Sequence, residues 1–421
     1  MLCRIEYYLE SLTVRVHRSR LVEEIVMKHF CMLLAVSIAV SFSFADAKEP
    51  KYKKITLSDK FYAEGAYYGD FNKDGKLDIV AGPFWFEGPD FTKKHEIYDT
   101  KSFNPESYSD NFGMFVADLN GDGWDDVFVC PHPGTHSYWF ENPKGAEGHW
   151  KKHMALAELG NESQQWLEVV RGLGKGPIYN MNGKFGFGTY KIEDGVPQWT
   201  FHQISNEDKR YQRYTHGIGA GDINGDGRVD LIDPKGWWEQ PVARGDQTTP
   251  WPFHAFDFGP APAHMLVYDF NGDGLNDVVC AWHCHLYGLV YWKQVKTDGK
   301  ISFAKQEILP IEPDLNSDAL RITQMHAFDL ADFNGDGVMD FVTGKRFWAH
   351  GSKGDKEADA PAVLYWFETK RDGKGNVEFI PHKIDDDSGV GTQVCTADLN
   401  GDKIPDVIVC NKKGIFVFLS E

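Results

Sequence analysis

The chain has 421 residues, 42% hydrophobic and 25% charged, a balance that supports a large buried core and excludes a disordered or collagen-like polymer. Lys and Arg number 44 against 62 Asp and Glu, a formal charge of −18, and so acidic a surface repels a phosphate backbone, which excludes nucleic acid as the expected partner. With 42 glycines and 14% aromatic residues, many tight turns between aromatic strands are expected, and the fold class reads as all-β.

Residues 1–47 read as an over-extended start followed by an export signal, the signal itself over 27–47. Met27-Lys28-His29 is a short basic start, Phe30 to Phe44 an apolar run, and Ala45-Asp46-Ala47 a small-x-small cleavage site. The run is shorter than the ~20 residues a spanning helix needs, and no later segment comes near that length. The mature chain is therefore expected in the periplasm or outside the cell, with no membrane span. Five basic and five acidic residues leave with the leader, so the charge stays at −18. Cys130, Cys280, Cys284, Cys395 and Cys410 remain. Cys130, Cys280 and Cys410 end apolar strands as small hydrophobes, and Cys395 with Cys410 is the one candidate disulfide pair.

From Lys48 to Glu421 one pattern recurs six times, D-x-N-x-D-G-x-x-D, with Lys403 in place of the glycine in the last copy. The copies are Asp70, Asn72, Asp74, Asp78; Asp118, Asn120, Asp122, Asp126; Asp222, Asn224, Asp226, Asp230; Asp269, Asn271, Asp273, Asp277; Asp332, Asn334, Asp336, Asp340; and Asp398, Asn400, Asp402, Asp406. Their spacings are 48, 104, 47, 63 and 66 residues, and the 104 holds a seventh unit, between 165 and 205, without the motif. In each unit a short apolar strand precedes the acidic loop and a β-branched strand follows it. An aromatic strand comes next (Tyr138-Trp139-Phe140-Glu141 in the second unit), then a fourth containing histidine. Four strands per ~50 residues, seven times over, predict a seven-bladed β-propeller of four-stranded blades filling 48–421. Tyr52 to Leu57 looks like a fourth strand without a blade of its own, and it would complete the last unit, which stops at its third strand. Joining first and last strands in one sheet removes an open edge.

These units resemble FG-GAP or VCBS repeats, the calcium-loop propeller blades also seen in integrin α-chains. The residues themselves favour the same cation. Oxygens at loop positions 1, 3, 5 and 9, a carbonyl at 7 and a glycine at 6 for the sharp turn suit Ca²⁺. Up to six structural calcium ions are expected, against the plainer reading that the loops are polar turns. A finer resemblance rests on His216-Gly217 through Gly236-Trp237-Trp238-Glu239-Gln240-Pro241, on His283 to Tyr287, and on Thr343-Gly344-Lys345-Arg346-Phe347-Trp348-Ala349-His350. These segments are similar to bacterial homologues of the propeller part of aldos-2-ulose dehydratase, a lyase that removes water from keto-sugars. The resemblance implies a carbon–oxygen lyase of an oxidised sugar, and it does not reach that enzyme's cupin portion.

Connection order places the calcium loops on one face of a propeller and the long, irregular loops on the other, where function concentrates. Non-repeated polar residues gather on that second face. His216, His264 and His326 each precede an innermost strand; His283, Lys345 and Arg346 follow second strands. The candidate catalytic set is His216, His264, His283 and His326 for proton transfer, with Lys345 and Arg346 on the oxyanion. His283 and His285 could bind a transition metal, although a strand-to-strand turn lets the two rings point apart. The histidines at 95, 153, 202, 254 and 382 recur in the fourth strand and read as framework. Two functions stay open: an enzyme acting on a saccharide, and a non-catalytic module that binds a glycan or a protein partner through the same face.

Overall fold

Each strand follows from its residue types and from what covers it. Gly113–Ala117 and Asp126–Cys130 are runs of apolar, β-branched and aromatic residues, which suit a covered pleated surface. Asp126–Cys130 is buried at every position, so both of its faces are packed, whereas the fourth strand, Lys151–Met154, is mostly exposed. The antiparallel register sets Met114 opposite Val129, Phe128 opposite Trp139, and Trp139 opposite His153. Burial thus fades from the inner strands of the sheet to its outer one.

The computed structural model describes residues 49–242 and 250–421; the leader expected over 1–47 lies outside the described residues. Among the described residues every regular element is a strand. The strands form five four-stranded sheets and one of eight. In the eight-stranded sheet two four-strand runs meet at their innermost strands, where Ile218 and Gly219 pair in parallel with His264 and Met265. Only glycine permits that approach, since a Cβ on Gly219 would lie 2.4 Å from the carbonyl oxygen of Met265. The unit without the acidic motif keeps all four strands, Gln165–Leu167, Gly176–Met181, Lys184–Glu193 and Val196–Gln203.

Successive four-strand runs pack face to face through apolar clusters. One joins Phe71, Val80 and Trp85 to Met114, Val127 and Phe140; another joins Ala327, Val342 and Trp366 to Val394, Val407 and Phe416. The last run also packs on the first, with Ile408, Ile415 and Val417 against Ala66, Ile79 and Phe86, so the succession closes on itself. Tyr52–Ser58 pairs antiparallel with Gly414–Ser420 and completes the last sheet. This is the architecture of a β-propeller. All five described cysteines are buried and free, Cys395 and Cys410 included.

Candidate functional site

The acidic loops connect first to second strands, and their carboxylates first of all organise the chain. In the first loop Asp70 accepts the amides of Asp74 and Gly75 at 3.1 and 3.0 Å, and Asn72 accepts that of Asp74 at 3.0 Å. The ninth residue turns inward. Asp126 accepts the amides of Leu119 and Asn142, 2.9 and 2.8 Å away, tying the loop to the connection between strands three and four. Asp78, Asp230, Asp340 and Asp406 make the corresponding pair of amide contacts. Burial pushes the Asp126 carboxyl up to about 7, although both amides favour its charged form. With positions 1 and 3 held on one amide and the loop wound around them, the donor set fits a hard cation. Lys144 stands 3.1 Å from Asp122 and Lys293 3.7 Å from Asp273, so two loops already hold an ammonium beside the position 5 carboxylate.

At the other end of the inner strands the non-repeated residues converge. His216 and His326 sit just before Ile218–Gly221 and Phe328–Ala331; Cys284 and His285 lie in the turn between Asp277–Ala281 and Leu289–Thr297. One ligand atom from each of these four lies within 4.8 Å of the others. Ring centroids are 5.1 Å apart for His216 and His285, 4.7 Å for His285 and His326, and 5.5 Å for His216 and His326. The Cys284 thiol thus lies among the rings of His216, His285 and His326.

A buried charged layer backs this cluster. His216 Nε2 is 2.8 Å from Glu162. Arg346, 1% exposed, bonds Glu162 and Glu64, with its Nε 2.8 Å from Glu64. Burial would raise the Glu162 carboxyl, but the Arg346 and His216 charges outweigh it and hold Glu162 well below the usual carboxylate range. Burial likewise lowers His216, yet the Cys284 thiolate and Glu162 carry it up to about 10. The Cys284 thiol, which burial alone would raise, is drawn well below its ordinary value by His216 and His326. Burial takes His326 down to about 4. His285 reaches about 9, because Asp355 and Cys284 overcome its desolvation. Asp355 lies 3.3 Å from His285 and 2.8 Å from His350.

Of the six residues expected to act on substrate, the structure brings His216 and His326 together and sets His283 beside them, its ring 5.9 Å from His285. Arg346 stands one layer behind, its guanidinium bonded to the carboxylates of Glu64 and Glu162. Lys345 is engaged elsewhere: its ammonium is held by the carbonyls of Glu357, Ala358 and Ala360, pinning the loop that follows, and burial lowers it to about 8. His264 is separate from the cluster. It accepts the Gln164 amide at 3.0 Å and lines a cavity of about 420 Å³ among the innermost strands, with Tyr67, Tyr68, Trp166 and Asp329. Cys284, Glu64, Glu162 and Asp355 escaped sequence reasoning. The signal for Cys284 was its place inside His283-Cys284-His285; Glu162 lies just ahead of the first strand of the unit without the motif, where no repeat gives it a register.

Residues 269–343, which span the fourth and fifth acidic loops, match the FG-GAP-like repeat family. No curated protein matches the chain. Among solved structures it is similar to an Agrocybe aegerita lectin that recognises non-reducing terminal N-acetylglucosamine, with 14% identity, a TM-score of 0.44, and 80% of this chain and 81% of that one covered. It is also similar to BBS1N in complex with ARL6DN, with 9% identity, a TM-score of 0.48, and 87% and 94% covered.

Proposed function

We propose that the chain is an exported, calcium-stabilised propeller of seven four-stranded blades that acts on saccharides, as a carbon–oxygen lyase of an oxidised sugar, at the end opposite the acidic loops. The eight-stranded sheet then counts as two blades and each other sheet as one. A single observation carries the functional reading: His216, Cys284, His285 and His326 meet in one centre backed by Glu162 and Arg346, instead of scattering over a flat face. The three segments that resemble the aldos-2-ulose dehydratase propeller are the ones that supply His216, the 283–285 turn and Arg346.

Elimination beside a carbonyl moves an α-proton to a base, breaks the bond to the leaving oxygen, and sends that oxygen off with a proton as water or alcohol. It needs positive character near the enolate oxygen. These four, Cys284 and His326 buried and His216 and His285 partly buried, supply the polarising centre. His350 is exposed, with its ring 4.5 Å from that of His285, and His283 flanks His285 from the other side of Cys284, so proton transfer falls to these two. The test is incubation of the purified protein with keto-sugars and 3-keto-glycosides, followed by the ultraviolet absorbance of an enone. Turnover that His283→Ala or His350→Ala reduces by ~10²-fold or more supports the lyase. Saccharide binding with no enone from any substrate replaces it with a glycan-binding module on the same face.

A further inference from the structure

The cavity that His264 lines, about 420 Å³, takes residues from the innermost strand of every four-strand run, so it lies on the axis those runs share. Toward the histidine cluster it is closed. There the Arg346 guanidinium bridges Glu64 and Glu162, all three buried. Toward the other end it opens. Gly113–Ala117, Ile218–Gly221, His264–Tyr268 and Val394–Ala397 are each buried at their first two residues and half-buried at their last two, and each runs directly into an acidic loop. One wall is aromatic. Tyr67 stacks on Tyr68 with ring centroids 4.8 Å apart, Phe115 meets Tyr67 at 5.4 Å, and Trp166 stacks on Phe115 at 5.5 Å. Asp329 lines the same space. Burial raises the Tyr67 and Tyr68 phenols above their ordinary value and the Asp329 charge adds to that, so the acid lies within electrostatic reach of the rings.

The polar capacity left on this lining is that of acceptors. The Thr396 amide and hydroxyl already donate to Asp329, at 2.9 and 2.8 Å, the Gln393 side chain pairs in both directions with the Met114 backbone, and His264 accepts the Gln164 amide. Asp329 also takes the Leu330 amide at 3.0 Å, and a carboxylate has room for a further donor. Gln164, 4% exposed, has an Oε1 without a hydrogen-bond partner, and a buried acceptor in that state is costly. Aromatic rings beside free acceptors, with acidic loops at the entrance, suit a cation. We propose that this channel is a binding site separate from the histidine face, for a small organic ammonium ion that enters between the acidic loops, packs its alkyl groups on Tyr67, Phe115 and Trp166, and takes Asp329 as its counter-charge. Calcium in the loops would not cancel the attraction, because three carboxylates against one divalent ion leave each loop negative. A sugar ring needs donors as well as acceptors, and those of Thr396 and Gln393 are already paired. Calcium itself takes six to eight oxygens, which an aromatic wall does not offer, and water finds few partners along it. The site does not rest on the sugar chemistry assigned to the opposite end.

The experiment is calorimetric titration of the protein, in excess calcium so that the acidic loops are saturated, with choline and with its uncharged tert-butyl isostere. Choline should bind with one equivalent and ~10-fold or more tighter than the isostere, since the two differ in charge and not in shape. Asp329→Asn keeps an oxygen for the Thr396 donors and removes the charge, and it should weaken choline by ~10-fold. Trp166→Leu should weaken it by ~3–30-fold, the range of a cation–aromatic contact. Because Trp166→Leu could misfold, a crystal of the parent soaked in arsenocholine gives a second reading from the anomalous signal of arsenic. A peak between Asp329 and Trp166 supports the site. A peak only among the acidic loops, or none, overturns it, as does equal affinity for the isostere, no stoichiometric choline binding, or unchanged affinity in either variant when folded. None of these readouts involves sugar turnover, so the channel site and the lyase fail separately.

Discussion

Lys403 holds position 6 of the last acidic loop at φ 73°, where the first two loops place Gly75 and Gly123 at 81° and 83°. A residue with a Cβ pays ~1–2 kcal/mol in that left-handed region, and glycine returns ~0.5–1 kcal/mol of it through the freer unfolded chain. Lys403→Gly should therefore stabilise the fold by ~0.5–1 kcal/mol, read as a small rise in melting temperature; a fall would mean that the lysine contacts outweigh the strain. Arg346 is the opposite case, since removing it takes the guanidinium from two buried carboxylates, Glu64 and Glu162, 1% and 6% exposed, and leaves Glu162 only His216. Arg346→Ala should cost ~3–5 kcal/mol in denaturant unfolding. Asp329 offers a pH test. Burial raises its carboxyl to about 6 against donation from Thr396. Its folded pKa lies above the unfolded value, so its contribution is fully present below the unfolded pKa and is lost as pH rises through about 6. Asp329→Asn, which does not titrate, should gain on the parent in melting temperature between pH 4 and pH 8, and a constant difference would refute the assignment. Residues such as Glu162 and Cys284 were illegible in the sequence for one physical reason. Their roles come from loops of different blades meeting in space, and no period relates those loops.

The elements, by contrast, were legible because a strand's environment repeats. The fourth-strand histidines show it: His95, His153, His254 and His382 stack on Trp85, Trp139, Trp237 and Trp366 with ring centroids 3.9 to 4.3 Å apart. Each also lies within 2.7 to 3.2 Å of the glutamate two residues beyond its tryptophan. The tryptophan covers the blade's outer edge, the histidine covers the tryptophan, and the glutamate fixes the ring, so all three types recur at fixed spacing. In the unit without the acidic motif Phe187 replaces tryptophan and Thr189 replaces glutamate around His202, which explains why that unit keeps its strands while losing its loop. Trp139, 1% exposed, should cost ~3–5 kcal/mol when changed to alanine. The first strand makes a stronger claim. Tyr52 to Ser58 fills the outer edge of the last sheet, so deleting 49–58 uncovers Phe416 and Phe418 and reopens that edge. A truncated protein that melts at the parent temperature would show that the pairing contributes nothing to stability.

At the scale of the whole molecule the charge becomes intelligible. Eighteen aspartates stand in six loops on one end of a chain whose formal charge is −18, and such crowding opposes folding unless cations neutralise it. On the calcium proposal, metal stabilises by mass action, about 2.7 kcal/mol per site at a hundred times the dissociation constant. Added calcium should then raise the melting temperature and a chelator lower it. The choice of variant matters, because the loop carboxylates also brace the backbone. Asp126→Ala would strip partners from the Leu119 and Asn142 amides and destabilise the fold whether or not calcium binds. Asp74 separates the two effects. Its Oδ1 accepts only the Lys76 amide, at 2.9 Å and in the exposed loop, and an asparagine there keeps that bond while losing the charge a calcium ion would use. Asp74→Asn should therefore melt with the parent in chelator and gain less than the parent when calcium is restored. If the parent gains nothing from calcium, the loops are hairpins closed by their own hydrogen bonds. If parent and variant gain equally, the ion sits outside the first loop.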